Sequence, residues 1–205
     1  KPSVVAVGTF RALDNPRFTF RGTGFVVGDG RQIVTNAHVL PEAMPDGAKL
    51  VVQVDQGGGN FEWRDARADS VVRPHDLALL RIDGNPLPAL PLAPPQPARE
   101  GQPVLFIGYP IGGLLGFRPV SHRGMVASLT PIAAPAPNSR QLNAQAIATL
   151  RRGSFDIIQL DATAYPGNSG GPLLDVASGQ VVGVVNMVLV KGNKESALSQ
   201  PSGIS

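Results

Sequence analysis

Glycine and proline cut this chain into short apolar runs, and that punctuation excludes most folds. The 205 residues include 24 glycines and 20 prolines. Both residues disfavour helix interiors, whereas short strands joined by tight turns accept them at their ends. In the first half, Ser3–Thr9, Arg17–Val27, Arg31–Thr35, Leu50–Asp55, Glu62–Val72 and Leu77–Ile82 read as strands. Gly28-Asp29-Gly30 reads as a hairpin turn, and Gln56-Gly-Gly-Gly-Asn60 as another. Pro103–Tyr109, Val120–Leu129, Phe155–Leu160, Pro172–Leu174 and Gln180–Val190 continue the pattern. Between the halves, Gly84–Ala98 holds six prolines in fifteen residues. Proline cannot donate to a ladder, so this stretch is expected to be an extended connector. The expected organisation is a β-rich unit over 1–85, a linker over 86–100 and a second β-rich unit over 101–205.

One stretch breaks the rhythm. Within Pro131–Gly153, Asn138 or Ser139 suits a helix cap, and Leu142, Ala146 and Leu150 fall on one helical face. The spacing predicts a helix from there to about Leu150, inside either a working loop or a passive surface excursion.

Composition narrows the chemistry. Hydrophobic residues make up 42%, enough for a sizeable core without cross-links. The absence of cysteine excludes disulfides, a thiol nucleophile and thiolate zinc sites. The net charge of +3 is spread over scattered arginines, with Arg151-Arg152 the one basic doublet, so no nucleic-acid partner is expected. No apolar run reaches the roughly 18–20 residues of a membrane helix. The chain starts at Lys1 without a methionine, as expected of a processed or engineered segment, from which any targeting sequence could have been removed.

The most reactive pattern lies near the end, in Asp161-Ala-Thr-Ala-Tyr-Pro-Gly-Asn-Ser169-Gly-Gly-Pro172. Ser169 stands in a glycine-rich turn that offers one hydroxyl and several unencumbered N–H groups. A hydroxyl needs a base within hydrogen-bond reach and a group that orients the base. Gly167-Asn-Ser-Gly-Gly171 formally matches the nucleophile elbow of α/β-hydrolases, but that fold places its histidine after the serine. The three histidines, His38, His75 and His122, all precede Ser169. His38 follows the apolar run Ile33-Val-Thr35 and is the best base. His75 is expected to be exposed, and His122 to pack at the surface or in a loop. Asp76 precedes the buried run Leu77-Ala-Leu-Leu80, where a carboxylate needs a hydrogen-bond donor such as an imidazole N–H. Asp161 is its rival, eight residues before Ser169, and Asp83 and Asp175 look like turn residues.

Five segments carry a resemblance: Gly22-Thr-Gly-Phe-Val-Val27, Ile33-Val-Thr-Asn-Ala-His-Val39, Asp76-Leu-Ala-Leu-Leu80, Phe106-Ile-Gly-Tyr-Pro110 and Asp161–Leu173. Together they resemble the protease domain of the HtrA/Deg serine endopeptidases, a trypsin-like family. The resemblance implies an all-β fold of two six-stranded antiparallel β-barrels with the active site between them. It implies a catalytic triad of His38, Asp76 and Ser169 and an oxyanion hole at Gly167, Asn168 and Ser169. Thr163, Ala164, Met187 and Val188 would line the specificity pocket. No metal or organic cofactor is expected. The implied partners are unfolded polypeptide substrates and a homotrimer, in periplasmic or other extracytoplasmic quality control. The PDZ domain usual after such a protease domain is not in this chain, which stops about where the last barrel strand is expected to begin. Tyr165 stands where the family usually has Asn, and Thr163 and Ala164 where it has Ala and Ile. A catalytically silent chaperone or binding module on the same fold is the alternative, and an esterase of small acyl groups a third reading. Asn168 replaces the aspartate that pairs with a new N-terminal amine in trypsin-type zymogens. Control is therefore expected from loops, with Pro131–Gly153 and Val190–Ser202 the candidates.

Overall fold

The computed structural model describes residues 1–96, 98–111, 117–131, 156–189 and 202–204. The helix expected between 138 and 150 and most of both candidate control loops lie outside these residues. The described residues form thirteen strands and two single-turn 3-10 segments. The first six strands are β1 (Val4–Phe10), β2 (Phe18–Val27), β3 (Gln32–Asn36), β4 (Lys49–Gly57), β5 (Asn60–Val72) and β6 (Leu77–Ile82). They close into an antiparallel barrel in the order β1-β2-β3-β6-β5-β4. The rest are β7 (Pro103–Gly108), β8 (Val120–Pro131), β9 (Asp156–Asp161), β10 (Pro172–Asp175), β11 (Val181–Val184), β12 (Met187–Leu189) and β13 (Ser202–Ile204). These form one sheet in the order β11-β10-β7-β8-β9-β13-β12. Its outermost strands, β11 and β12, are separated in sequence by Val185-Asn186 alone. The sheet therefore curls back on itself, a half-barrel beside the closed first barrel in an all-β fold. No described helix is long and apolar enough to cross a membrane.

Two strand boundaries differ instructively from the sequence reading. The β4–β5 turn is tighter than expected, because Gly57 pairs with Asn60 and only Gly58 and Gly59 form the loop. Both have positive φ, 64° and 86°, as a tight hairpin demands. The run Gln180–Val190, expected as one strand, is broken at Val185-Asn186. Val185 leaves the ladder to bind the glycine-rich turn: Gly170 N donates to its carbonyl (2.7 Å), and its own N donates to Gly171 O (2.9 Å).

Alternation along the strands fills the first barrel with Val5, Val7, Val26, Ile33, Val52, Leu80 and Ile82. Val104, Phe106, Val126, Leu160, Leu173 and Val185 fill the half-barrel. A further cluster joins the two, with Val4 and Phe25 against Ile107, Tyr109 and Leu174. The Tyr109 hydroxyl donates to Val4 O (3.1 Å), and burial holds it far above the usual phenol range. The proline-rich connector forms no strand but is stitched to both units. Leu90 N donates to Val26 O (2.8 Å), and Ala93 N donates to Val181 O (2.9 Å).

Leu80 is fully buried at the centre of the first barrel. Leu80→Ala is expected to destabilise the fold by about 2–5 kcal/mol, through lost burial and a residual cavity. Urea unfolding measures this, and a loss below about 1 kcal/mol would contradict the packing described.

Candidate active site

β3 and β6 run antiparallel with Asn36 opposite Leu77. This register delivers the end of β3 to the start of β6. Past Asn36 the chain makes one 3-10 turn, Ala37–Val39, with His38 at its middle. Before Leu77 it makes another, Arg73–His75, and Asp76 closes that turn at φ 51°, a left-handed conformation that Asp tolerates. The two turns lock together. Asp76 O accepts from Ala37 N (3.0 Å) and from Asn36 Nδ2 (3.0 Å). Asp76 Oδ1 accepts from His38 N (2.9 Å), and Oδ2 lies 2.5 Å from His38 Nδ1. A carboxylate can only accept, so Nδ1 carries a proton and Nε2 is the ring nitrogen left to act as an acceptor. The Asp76 side chain keeps 28% of its exposure, so water as well as His38 solvates the charge. The rival Asp161 ends β9 opposite Met125, exposed, and makes no bond to His38.

Ser169 sits in a turn held on several sides. Pro166 O accepts from Ile111 N (2.7 Å), Gly167 O from Thr23 Oγ1 (2.7 Å), and Asn168 O from Gly171 N (2.9 Å). Thr23 N donates to Ser169 O (2.8 Å). Gly167 has φ +101°, and a Cβ there would collide with Tyr109 O. Gly22 lies between the His38 turn and the Ser169 turn. Its Cα faces both the Val39 side chain and Ser169 O, at distances that leave no room for a Cβ. Gly170 packs in the same way against Thr35 and Asn36. The glycine-rich turn thus lies directly on the strand end that carries His38. The Ser169 hydroxyl donates to Asn186 O (2.9 Å), at the break between β11 and β12. Neither the Gly167 nor the Ser169 N–H has an acceptor among the described residues. Two such N–H groups beside a nucleophilic hydroxyl can stabilise an oxyanion.

The other residues singled out from sequence are placed as follows. Asn168 is fully buried, and neither of its amide atoms has a partner among the described residues. Thr163 is exposed and Ala164 buried in the segment before Pro166. Met187 and Val188 lie on β12, opposite Ile204 and Gly203. His75 is exposed. His122 departs from expectation: it is no loop residue but half-buried on β8, stacked on Phe106 at 4.8 Å. Burial pushes its imidazole towards the neutral form. Asp175 is a turn residue as read. Hydrogen bonds from Ser178 and then Gln102 hold its carboxyl at about 2.

Three residues in the site escaped sequence reasoning. Arg21 donates from Nε to Val39 O (2.6 Å) and from Nη2 to Leu40 O (3.2 Å), tying down the end of the His38 turn. Thr23 reaches the glycine-rich turn, and Asn186 holds the serine hydroxyl. The Gly22-Thr-Gly24 motif was a usable signal for Thr23, whereas nothing in the sequence marks Arg21 or Asn186. A cavity of about 540 Å³ opens beside His38, lined among others by Arg21, Leu40, Glu42, Val71 and Arg73.

The chain is similar to known serine proteases over most of its length. The chain is 33% identical over 172 residues to the putative serine protease HhoA of Synechocystis, a match covering 82% of this chain and 37% of that protein. It is 32% identical over 177 residues to a probable periplasmic DegP-like serine endoprotease of Chlamydia trachomatis (86% of this chain, 30% of the relative). It is 31% identical over 196 residues to serine protease HTRA1A of Danio rerio (93% and 36%). The chain thus spans about a third of the length of these relatives. Among solved structures, the MamO protease domain of Magnetospirillum magneticum shares its fold with a TM-score of 0.69 at 22% identity, covering 99% of this chain and 90% of that one. The active form of a protease from M. tuberculosis gives 0.68 at 24% identity (99% and 74%). The trypsin-like peptidase domain profile matches residues 22–184, a span that runs from the glycine facing Ser169 to the end of β11, and the chain belongs to that family.

Proposed function

We propose that this chain is a serine endopeptidase domain of the HtrA/Deg type that hydrolyses peptide bonds through an acyl-enzyme. The observation that carries the reading is the double contact of Asp76 with His38, on backbone N and on ring Nδ1. It fixes the ring tautomer and leaves Nε2 as a base, as a Ser-His-Asp triad requires. Ser169 Oγ attacks the substrate carbonyl carbon as its proton passes to His38 Nε2. The oxyanion forms against the Gly167 and Ser169 N–H groups, with Asn168 between them. Collapse breaks the C–N bond, and His38 returns the proton to the leaving amine. Water then repeats the sequence on the ester and frees Ser169. Asp76 stays ionised and stabilises the imidazolium. The serine hydroxyl rests on Asn186 O. Attack requires it to leave Asn186 O and turn towards Nε2.

The relatives' names support polypeptide substrates and, for the DegP-like ones, a periplasmic setting. Unfolded polypeptides as substrates, an extracytoplasmic location and a homotrimer complete the reading. The domain limits 1–85, 86–100 and 101–205 belong to it as well.

Ser169→Ala is expected to lower kcat on unfolded casein by roughly 10⁶-fold with the fold intact. Cleavage within about tenfold of the parent would refute the mechanism.

Specificity follows from the pocket residues. Thr163 and Ala164, with Met187 and Val188, bring no carboxylate, whereas a preference for Lys or Arg needs one at the pocket base. Cleavage is expected after Val, Ala or Leu, with room for Phe or Met because Ala164 is small. Mass-spectrometric mapping of casein fragments decides it, and a majority of cuts after Lys or Arg would refute the pocket assignment.

Activation is the third expectation. Asn168 carries no charge, so a freed N-terminal amine would find no buried counter-ion there. Adding a few residues before Lys1 is expected to change kcat/KM by less than about threefold, and a loss of more than about tenfold would overturn this.

A further inference from the structure

Thr23 lies on β2, in the first barrel, yet its bonds reach into the half-barrel. It is fully buried. Its hydroxyl donates to Gly167 O (2.7 Å) and accepts from Tyr109 N (3.1 Å). Its N donates to Ser169 O (2.8 Å), and its O accepts from Thr35 Oγ1 (2.6 Å). One residue therefore grips the carbonyls on both sides of Asn168 and anchors itself to β3, two residues before the His38 turn.

The grip matters because of where glycine sits. At φ +101°, Gly167 has no side chain to resist rotation of its two flanking peptides. In a trans peptide the N–H points opposite to the C=O, so holding a carbonyl fixes the direction of the next N–H. Ile111 N holds Pro166 O, which sets the direction of the Gly167 N–H. Gly171 N holds Asn168 O, which sets the direction of the Ser169 N–H. The peptide between these two donors is held at both ends, by Thr23 Oγ1 on Gly167 O and by Asn168 N on Tyr165 O (3.2 Å), and the Thr23 bond keeps the Gly167 carbonyl from turning towards the cleft. A carbonyl dipole turned there would repel a developing oxyanion instead of binding it. The job needs a group that donates to one backbone atom while accepting from another, and a hydroxyl does both.

We propose that Thr23 is a positioning residue for the oxyanion site, acting through the Gly167 carbonyl. The proposal rests on the functional reading above. Thr23→Val keeps the shape and removes both hydroxyl bonds. It is expected to lower kcat by about 10–100-fold, short of or near the cost of deleting one oxyanion donor outright, with KM within about threefold. Thr23→Ser restores the hydroxyl and is expected to return kcat to within about threefold of the parent.

The readouts are kcat and KM on a peptide with valine at the cleaved bond, and inhibition by the matching valinal peptide. The aldehyde adduct with serine carries an oxyanion, so its affinity should fall with kcat/KM in Thr23→Val and recover in Thr23→Ser. A merely structural role would lower the melting temperature without coupling the two. If Thr23→Val does not fold, Thr23→Cys, with a weak donor and acceptor of similar size, is expected to lower kcat by about 3–30-fold. A folded Thr23→Val or Thr23→Cys with kcat within about twofold of the parent overturns the proposal. So does a Thr23→Ser as slow as the valine variant, or an aldehyde affinity that does not follow kcat/KM. A parent that neither cleaves casein nor binds the aldehyde overturns the functional reading and this proposal together. An active parent matched by Thr23→Val overturns this proposal alone.

Discussion

The pairing register of β3 with β6 is the constraint on which the candidate site depends. Ile33 faces Leu80 across the ladder, both fully buried, and Asn36 faces Leu77. A slip of one residue would turn the core faces of both strands to solvent, so hydrophobic burial fixes the register. With the register fixed, residue 38 and residue 76 must meet just beyond the ends of the ladder. The two 3-10 turns and the left-handed Asp76 then aim imidazole and carboxylate at each other. The pair is assembled by apolar packing some way from the chemistry, across nearly forty residues of sequence.

The serine reaches the same place by a different route. Its turn is glycine-rich because the turn is pressed onto β2 and β3, where Gly22 and Gly170 leave no room for a Cβ. β2 grips it through Thr23 and grips the His38 turn through Arg21. One short stretch, Arg21-Gly22-Thr23, therefore touches the His38 turn and the Ser169 turn together. The break at Val185-Asn186 comes from the same contact. Val185 gives up its ladder to bind Gly170 and Gly171, and the freed Asn186 carbonyl receives the serine hydroxyl.

Much of this was legible in the sequence, for physical reasons. Short apolar runs between glycines, prolines and other turn residues marked eleven strands, because a short strand is bounded by the residues that turn the chain. Proline density marked the connector, and chain order separated this arrangement from an α/β-hydrolase elbow. Asp76 was recognisable because a carboxylate at the mouth of a buried strand needs a donor. What escaped depended on partners distant in sequence. Nothing near Arg21 says that its guanidinium will meet the carbonyls of Val39 and Leu40. Gln180–Val190 looks like one strand because apolar residues continue through the break, and only the tertiary contact with Gly170 splits it. His122 looked like a surface residue beside Arg123, but β8 pairs it with Phe106 and covers it.

The claim that register and packing assemble a working nucleophile is tested most directly by covalent labelling. A fluorophosphonate reacts only with a serine whose hydroxyl is activated by a base. The account predicts one adduct, mapped by mass spectrometry to Ser169 in the folded chain, and lost when His38 is replaced by alanine. An unlabelled folded chain, an adduct on another serine, or equal labelling of the His38→Ala variant would contradict it.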